Sequence, residues 1–132
     1  MNVTDPIADM LTRIRNALMV KHAEVSIPYS VLKEKVLTIL RDEGYVKGFR
    51  VSQDDKHKNL VVFLKYTDSG ESVIRGLKRV SKPGGRVYVN SKNLTTVLGG
   101  LGNGVVSTSR GIKTVKQCLV EKVGGEYLCQ VW

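Results

Sequence analysis

The spacing of the apolar residues changes partway along this 132-residue chain, and that change restricts the fold more than any other feature of the sequence. Asp5 followed by Pro6 is an N-cap with proline at the first helical position, and Ile7, Leu11, Ile14 and Leu18 then recur at helical spacing. The pattern predicts a helix over 6–19. Its opposite face carries Asp9, Thr12, Arg13, Arg15 and Asn16; Asp9 and Arg13 form an i,i+4 pair, which leaves Arg15 and Asn16 to meet a partner. A short strand, VSIP at 25–28, leads to Ser30 as N-cap of a second helix, with Leu32, Val36, Ile39 and Leu40 on one side and Gly44 as its C′ residue. Helical spacing then stops. YVKGFRVS at 45–52 and LVVFLKY at 60–66, separated by DDKHKN, are rich in β-branched and aromatic residues and read as a hairpin with a polar tip.

TDSG at 67–70 is the best linker candidate and divides the chain into 1–66 and 67–132. Beyond it, SVIRGLKRVS at 72–81 reads as a strand with basic residues on its open face, PGG at 83–85 as a turn, and RVYVN at 86–90 as the returning strand. Residues 93–98 fit one helical turn ended by Gly99 and Gly100, and 105–109 fit a further strand. A short helix over 114–122, closed by Gly124 and Gly125, and a last strand in EYLCQVW complete the reading. The expected class is α+β: two small packed halves, the first α-β-α-β-β, the second mainly β with a short helix, its glycines letting backbones approach closely. An apolar content of 42% suits such a core. Apolar runs fall far short of the roughly 20 residues that cross a bilayer, so a cytoplasmic protein with no membrane partner is expected. Cys118 and Cys129 lack metal-type spacing and read as small core residues.

Charge narrows the function. The net charge is +9, and between Glu71 and Glu121 there are 49 positions with nine Lys or Arg and no acidic residue. Uncompensated positive charge repels itself unless a polyanion offsets it, which points to nucleic acid. Within that stretch lies GVVSTSRG at 104–111. A serine nucleophile needs a base in reach, and the two histidines, His22 and His57, lie in polar stretches of the first half, so an esterase using Ser107 or Ser109 is the weakest reading. GGLGNG at 99–104 fails the spacing of a dinucleotide site and lacks the Lys of a P-loop. Recognition remains: hydroxyls donate and accept at once and can read 2′-OH groups and base edges, while Arg110 and Lys113 answer phosphates. Alternation sends Ser107 and Ser109 to one face and Thr108 to the other unless the strand ends in a loop. Tyr88, between Arg86 and Asn90 in the alternation of its strand, adds an aromatic that can stack on a base. A basic sheet that holds an acidic protein is the alternative from another class.

TDPIADMLTRIRNA (4–17), LKRVSKPG (77–84), GRVY (85–88), GLG (100–102), VVSTSRG (105–111) and GGEYLCQVW (124–132) together resemble the family of bacterial small-subunit ribosomal protein eight. The resemblance spans nearly the whole chain. It implies a non-catalytic protein without cofactor or metal that binds the central domain of 16S rRNA directly and helps organise the platform of the small subunit. It also implies repression of its own operon through an mRNA mimic of that site, proteins five and twelve as neighbours, and a monomer within the subunit. The leading RNA contacts it implies are Ser107, Thr108 and Ser109, with Arg110; Gly124, Gly125 and Glu126 lie beside that loop, Glu126 orienting neighbouring groups or meeting a base donor. Tyr88, Lys82 and Arg86 follow as secondary contacts, and Thr4, Arg15 and Asn16 as a second RNA contact. Residues 113–119 depart from the family pattern, as do Asn103 and Gly104. The departure removes acidic residues near the expected short helix and leaves Thr114 alone to cap it.

Overall fold

The computed structural model describes residues 5–95 and 100–132. In chain order the elements are α1 (Pro6–Met19), β1 (Glu24–Pro28), α2 (Val31–Asp42), β2 (Val46–Gln53), β3 (Lys58–Leu64), β4 (Leu77–Arg79), β5 (Tyr88–Val89), β6 (Asn103–Thr108), β7 (Gly111–Thr114), α3 (Val115–Glu121) and β8 (Gly125–Val131). This is an α+β fold, α-β-α-β-β followed by a mainly β part with one short helix. Packing divides it into two compact units: Asp9–Ile74, and the chain up to Ala8 together with Arg75–Trp132. The division falls at 74/75, and residues 67–70 form a hydrogen-bonded reversal within the Asp9–Ile74 unit. Gly70 N donates to Thr67 O (2.8 Å), Thr67 N to Glu71 O (2.7 Å) and Val73 N to Lys65 O (3.1 Å), while Lys21 Nζ reaches Gly70 O at 2.6 Å.

In the Asp9–Ile74 unit, β1, β3 and β2 form an antiparallel sheet in that order. The helical stripe of α1 is buried as expected, including Leu11, Ile14 and Leu18, and Arg13 Nε meets Asp9 Oδ2 at 2.8 Å on the exposed side. Ser30 Oγ caps α2 by accepting from Lys33 N (3.1 Å), and Gly44 takes φ +83° just past its end. The buried stripe of α2 differs from the expected one: it consists of Lys33, Val36, Leu37 and Leu40, while Leu32 is exposed. Lys33 belongs there because its four-carbon stem packs like an apolar chain while Nζ donates to Pro28 O at 3.0 Å.

The other unit holds a five-stranded sheet in the order β4-β8-β6-β7, with β5 also on β8. Here the expected strand over 72–81 shrinks to Leu77–Arg79, and RVYVN does not return along it. Both segments pair with β8 instead, Leu77 opposite Val131 and Arg79 opposite Cys129, then Tyr88 opposite Glu126 and Val89 opposite Gly125. A seven-residue strand is long enough to take two short partners in succession along one edge. The turn between them is closed by mutual backbone bonds of Lys82 and Gly85 (3.2 and 3.0 Å). The expected helical turn over 93–98 lies partly outside the described residues; Asn90 Oδ1 accepts from Lys92 N and Asn93 N at 3.0 Å each and holds a turn there.

Thr114 does cap α3, with help. Its Oγ1 accepts from Gln117 N (3.1 Å) and Gln117 Oε1 accepts from Thr114 N (2.9 Å), a reciprocal capping box. The helix is closed by Lys122 in the left-handed region (φ 58°), and not by Gly124 and Gly125, which belong to the approach and start of β8. Leu94, Val106, Val115, Cys118 and Tyr127 form the core beneath it. Gly104 is required at its place because a Cβ there would strike the Tyr127 hydroxyl and the Val115 side chain. Cys118 and Cys129 are free and buried, and burial pushes the Cys129 thiol up to about 12. At the start of α1, Asp5 Oδ1 accepts from Ala8 N (3.1 Å), and Arg79 Nε binds Asp5 at 3.2 and 3.0 Å while its Nη1 donates to Leu128 O (2.6 Å). No helix of the described residues is long and apolar enough to cross a membrane.

Candidate nucleic-acid interface

The triplet at 107–109 spans the end of a strand and the start of a turn. β6 and β7 form a hairpin in which Thr108 pairs with Gly111, so Ser109 and Arg110 are the tip, and both are exposed. Gly111 carries φ +108°, a conformation that glycine adopts without a Cβ clash and that lets the chain turn back into β7. Thr108 locks this turn: Oγ1 donates to Gly111 O (2.7 Å) and accepts from Arg110 N (3.0 Å). The three hydroxyls therefore hold three different positions. Ser107 stands half-buried in the ladder, Thr108 is engaged with backbone, and Ser109 is presented by the tip.

On the other side of β6, Ser107 pairs with Glu126 and Thr108 with Gly125, while β5 sets Tyr88 opposite Glu126 and Val89 opposite Gly125. Directly paired residues share a sheet face, so Tyr88, Glu126 and Ser107 form one row across three strands. Tyr88 is 71% exposed, unusual for an aromatic in a strand. The two glycines of GGE make the row possible. A Cβ on Gly125 would run into the Ser107 carbonyl, and one on Gly124 into the Val89 carbonyl and Asn90 Cα. Val106 and Tyr127 point the opposite way, into the core under α3.

Glu126 is tied into this surface by two donors. Ser81 Oγ donates to Glu126 Oε2 at 2.6 Å, and Arg86 Nη1 donates to the same oxygen at 3.0 Å. The serine bond, against the opposing effect of burial and with the help of Arg86, holds the carboxyl below its ordinary value of 4.5. Glu126 is thus an anion at neutral pH within a basic neighbourhood. Ser81 was not among the residues singled out from sequence, although it stands inside the LKRVSKPG block. The signal that would have found it is the register that brings β8 beside it, which a linear reading does not contain.

Among the other expected contacts, Lys82 opens the 82–85 turn and Arg86 follows it, both exposed, and Arg86 meets Glu126. Lys113 is turned to another task, its Nζ lying 3.2 Å from Glu121 Oε2 of α3. Arg15 and Asn16 are exposed on α1 in the Asp9–Ile74 unit, as are both histidines, and Thr4 lies outside the described residues. Among the described residues no group of three or more His, Cys, Asp or Glu is arranged to hold a metal ion. The arrangement offers exposed hydroxyl and guanidinium groups at a rigid tip, an exposed aromatic ring and one fixed carboxylate. Together these can grip phosphate, stack on a base and accept from a sugar or base donor.

A family model described as ribosomal protein S8 matches residues 5–132. The small ribosomal subunit protein uS8 of Halothermothrix orenii is 54% identical over 132 residues, covering all of both chains. The proteins of the same name from Citrifermentans bemidjiense and Clostridioides difficile are 54% and 52% identical over the same full length.

Proposed function

The chain belongs to the ribosomal protein S8 family, and from that premise we propose that it is a structural, non-enzymatic constituent of the small ribosomal subunit that binds rRNA directly. The RNA is the central domain of 16S rRNA, and the protein helps to assemble the subunit platform around it. Its neighbours there are the subunit's proteins five and twelve, and the same surface represses its own operon by binding an mRNA that mimics the rRNA site. The observation that carries this reading is the Tyr88–Glu126–Ser107 row running into the Ser109–Arg110 tip. Each member suits a different part of an irregular RNA helix: the ring for a splayed base, the carboxylate and hydroxyls for base edges and 2′-OH groups, the guanidinium for phosphate. The glycines at 124 and 125 let the backbone at 89–90 and at 107–108 approach closely, which brings the members of the row together.

The test is a filter-binding titration of the purified protein against a 16S central-domain fragment, with an equal-length scrambled RNA as competitor, at two salt concentrations. Binding to the fragment should survive the competitor at both. Equal, salt-sensitive binding to the two RNAs would overturn the reading, and preference for an acidic polypeptide over the fragment would replace it with an adaptor function.

A further inference from the structure

Ser81 has no exposed surface, yet its hydroxyl works in two directions. Oγ accepts from Val87 N at 3.1 Å, which fixes the backbone between Arg86 and Tyr88, and donates to Glu126 Oε2 at 2.6 Å. Arg86 adds its bond to the same oxygen, so among the described residues both side-chain contacts of Glu126 fall on Oε2. A buried hydroxyl with a donor and an acceptor both in place has one orientation, and it passes that orientation to its partner.

Resting on the RNA reading above, we propose that Ser81 is a positioning residue for recognition: it fixes Glu126 so that Oε1 is offered to a neutral donor of the RNA, a base N–H or a ribose 2′-OH. An ionised carboxylate only accepts, and it repels phosphate, so this point of the surface selects for a base edge or sugar and against backbone. The charged groups that act on Glu126 are Arg86, which is bonded to it, and Arg79, which is not; Tyr88 faces it from β5 and Ser107 from β6. Of these influences the Ser81 bond is the largest that favours the ionised form, with burial opposing it. Removing the hydroxyl therefore loosens the carboxylate and also moves its protonation to higher pH.

The experiment measures specific RNA binding by wild type, Ser81→Ala, Glu126→Gln and the double variant, at several pH values from about 7 down to about 3.5, so that the window spans the depressed carboxyl range of Glu126, with a thermal melt of each protein at each pH. Near neutral pH, Ser81→Ala should weaken binding to the central-domain fragment about fivefold while leaving binding to the scrambled RNA unchanged. Its acid limb should begin at higher pH than that of wild type, and in the Glu126→Gln background Ser81→Ala should add less than about twofold. Where Ser81→Ala melts too low to be used, Ser81→Cys keeps the shape and supplies a weak donor, and the same shift of the acid limb is expected. Losses that multiply in the double variant, or an acid limb that coincides with wild type, would show a merely structural serine and overturn the inference. If wild type itself fails to prefer the fragment, the RNA reading falls and this inference with it; if wild type prefers it and Ser81→Ala binds equally well, the inference alone falls.

Discussion

Thr108 and Ser109 are adjacent hydroxyls in different circumstances. The first is consumed by the turn, donating to Gly111 O and accepting from Arg110 N, whereas the second is carried exposed at the tip. Their replacement by alanine should separate the two roles. Ser109→Ala is expected to lose about 1 kcal/mol of specific RNA binding with an unchanged melt, since one polar contact leaves an otherwise intact surface. Thr108→Ala should lower the melting temperature first, by the loss of about 1–2 kcal/mol, because two bonds that close the hairpin go with it. Paired thermal melts and RNA titrations check this, and a Ser109→Ala protein that melts early but binds normally would reverse the assignment. Sequence alternation placed these residues on opposite faces, but it could not say where the strand ends. That depends on Gly111 adopting positive φ, which is a property of the turn.

Among the elements, the start of α1 is anchored both by its own backbone and from β4. Asp5 caps the helix through Ala8 N and is bonded by Arg79, whose side chain is only 9% exposed. Burial works to raise the Asp5 pKa, but the Arg79 bond and the backbone donors outweigh it and hold the carboxyl below its ordinary 3.8. A depressed carboxylate contributes stability that is fully present above the unfolded-state value and is lost as pH falls through the folded one. Acid titration followed by circular dichroism should therefore show wild type losing stability below pH 3.8, with a smaller acid dependence in Asp5→Ala. At neutral pH that variant should be less stable by about 2–4 kcal/mol, for a lost cap and a buried arginine left without its carboxylate. The Asp5-Pro6 signal was legible in the sequence because capping is local; so was the β2–β3 hairpin, and so in principle was the Thr114 box, given Gln117 three residues on. The stripe of α2 was misread because Lys33 counts as charged in a pattern but packs through its methylenes. The shared edge of β8 was not legible at all, since β4 and β5 are neighbours in sequence and nothing local says that they pair with a strand 36 to 54 residues away instead of with each other.

For the molecule as a whole, the count of 21 Lys and Arg overstates how many are available to phosphate. Lys113 is matched by Glu121, Arg86 by Glu126 and Arg79 by Asp5. Exposed Lys82 stands outside those pairs, and Lys82→Ala should weaken binding to many RNAs alike and reduce the slope of log K against log salt by about one. Titration at four or more salt concentrations measures that slope, and an unchanged one would remove Lys82 from the phosphate contacts. The central position of β8 also has a consequence in time. Strands β4, β5 and β6 leave the translating ribosome before residues 125–131, the strand against which all three are ordered. A nascent chain shorter than β8 thus lacks the strand that aligns Ser107, Tyr88 and the basic residues beside them, and on the proposed reading an RNA surface forms only once residues 125–131 have been made.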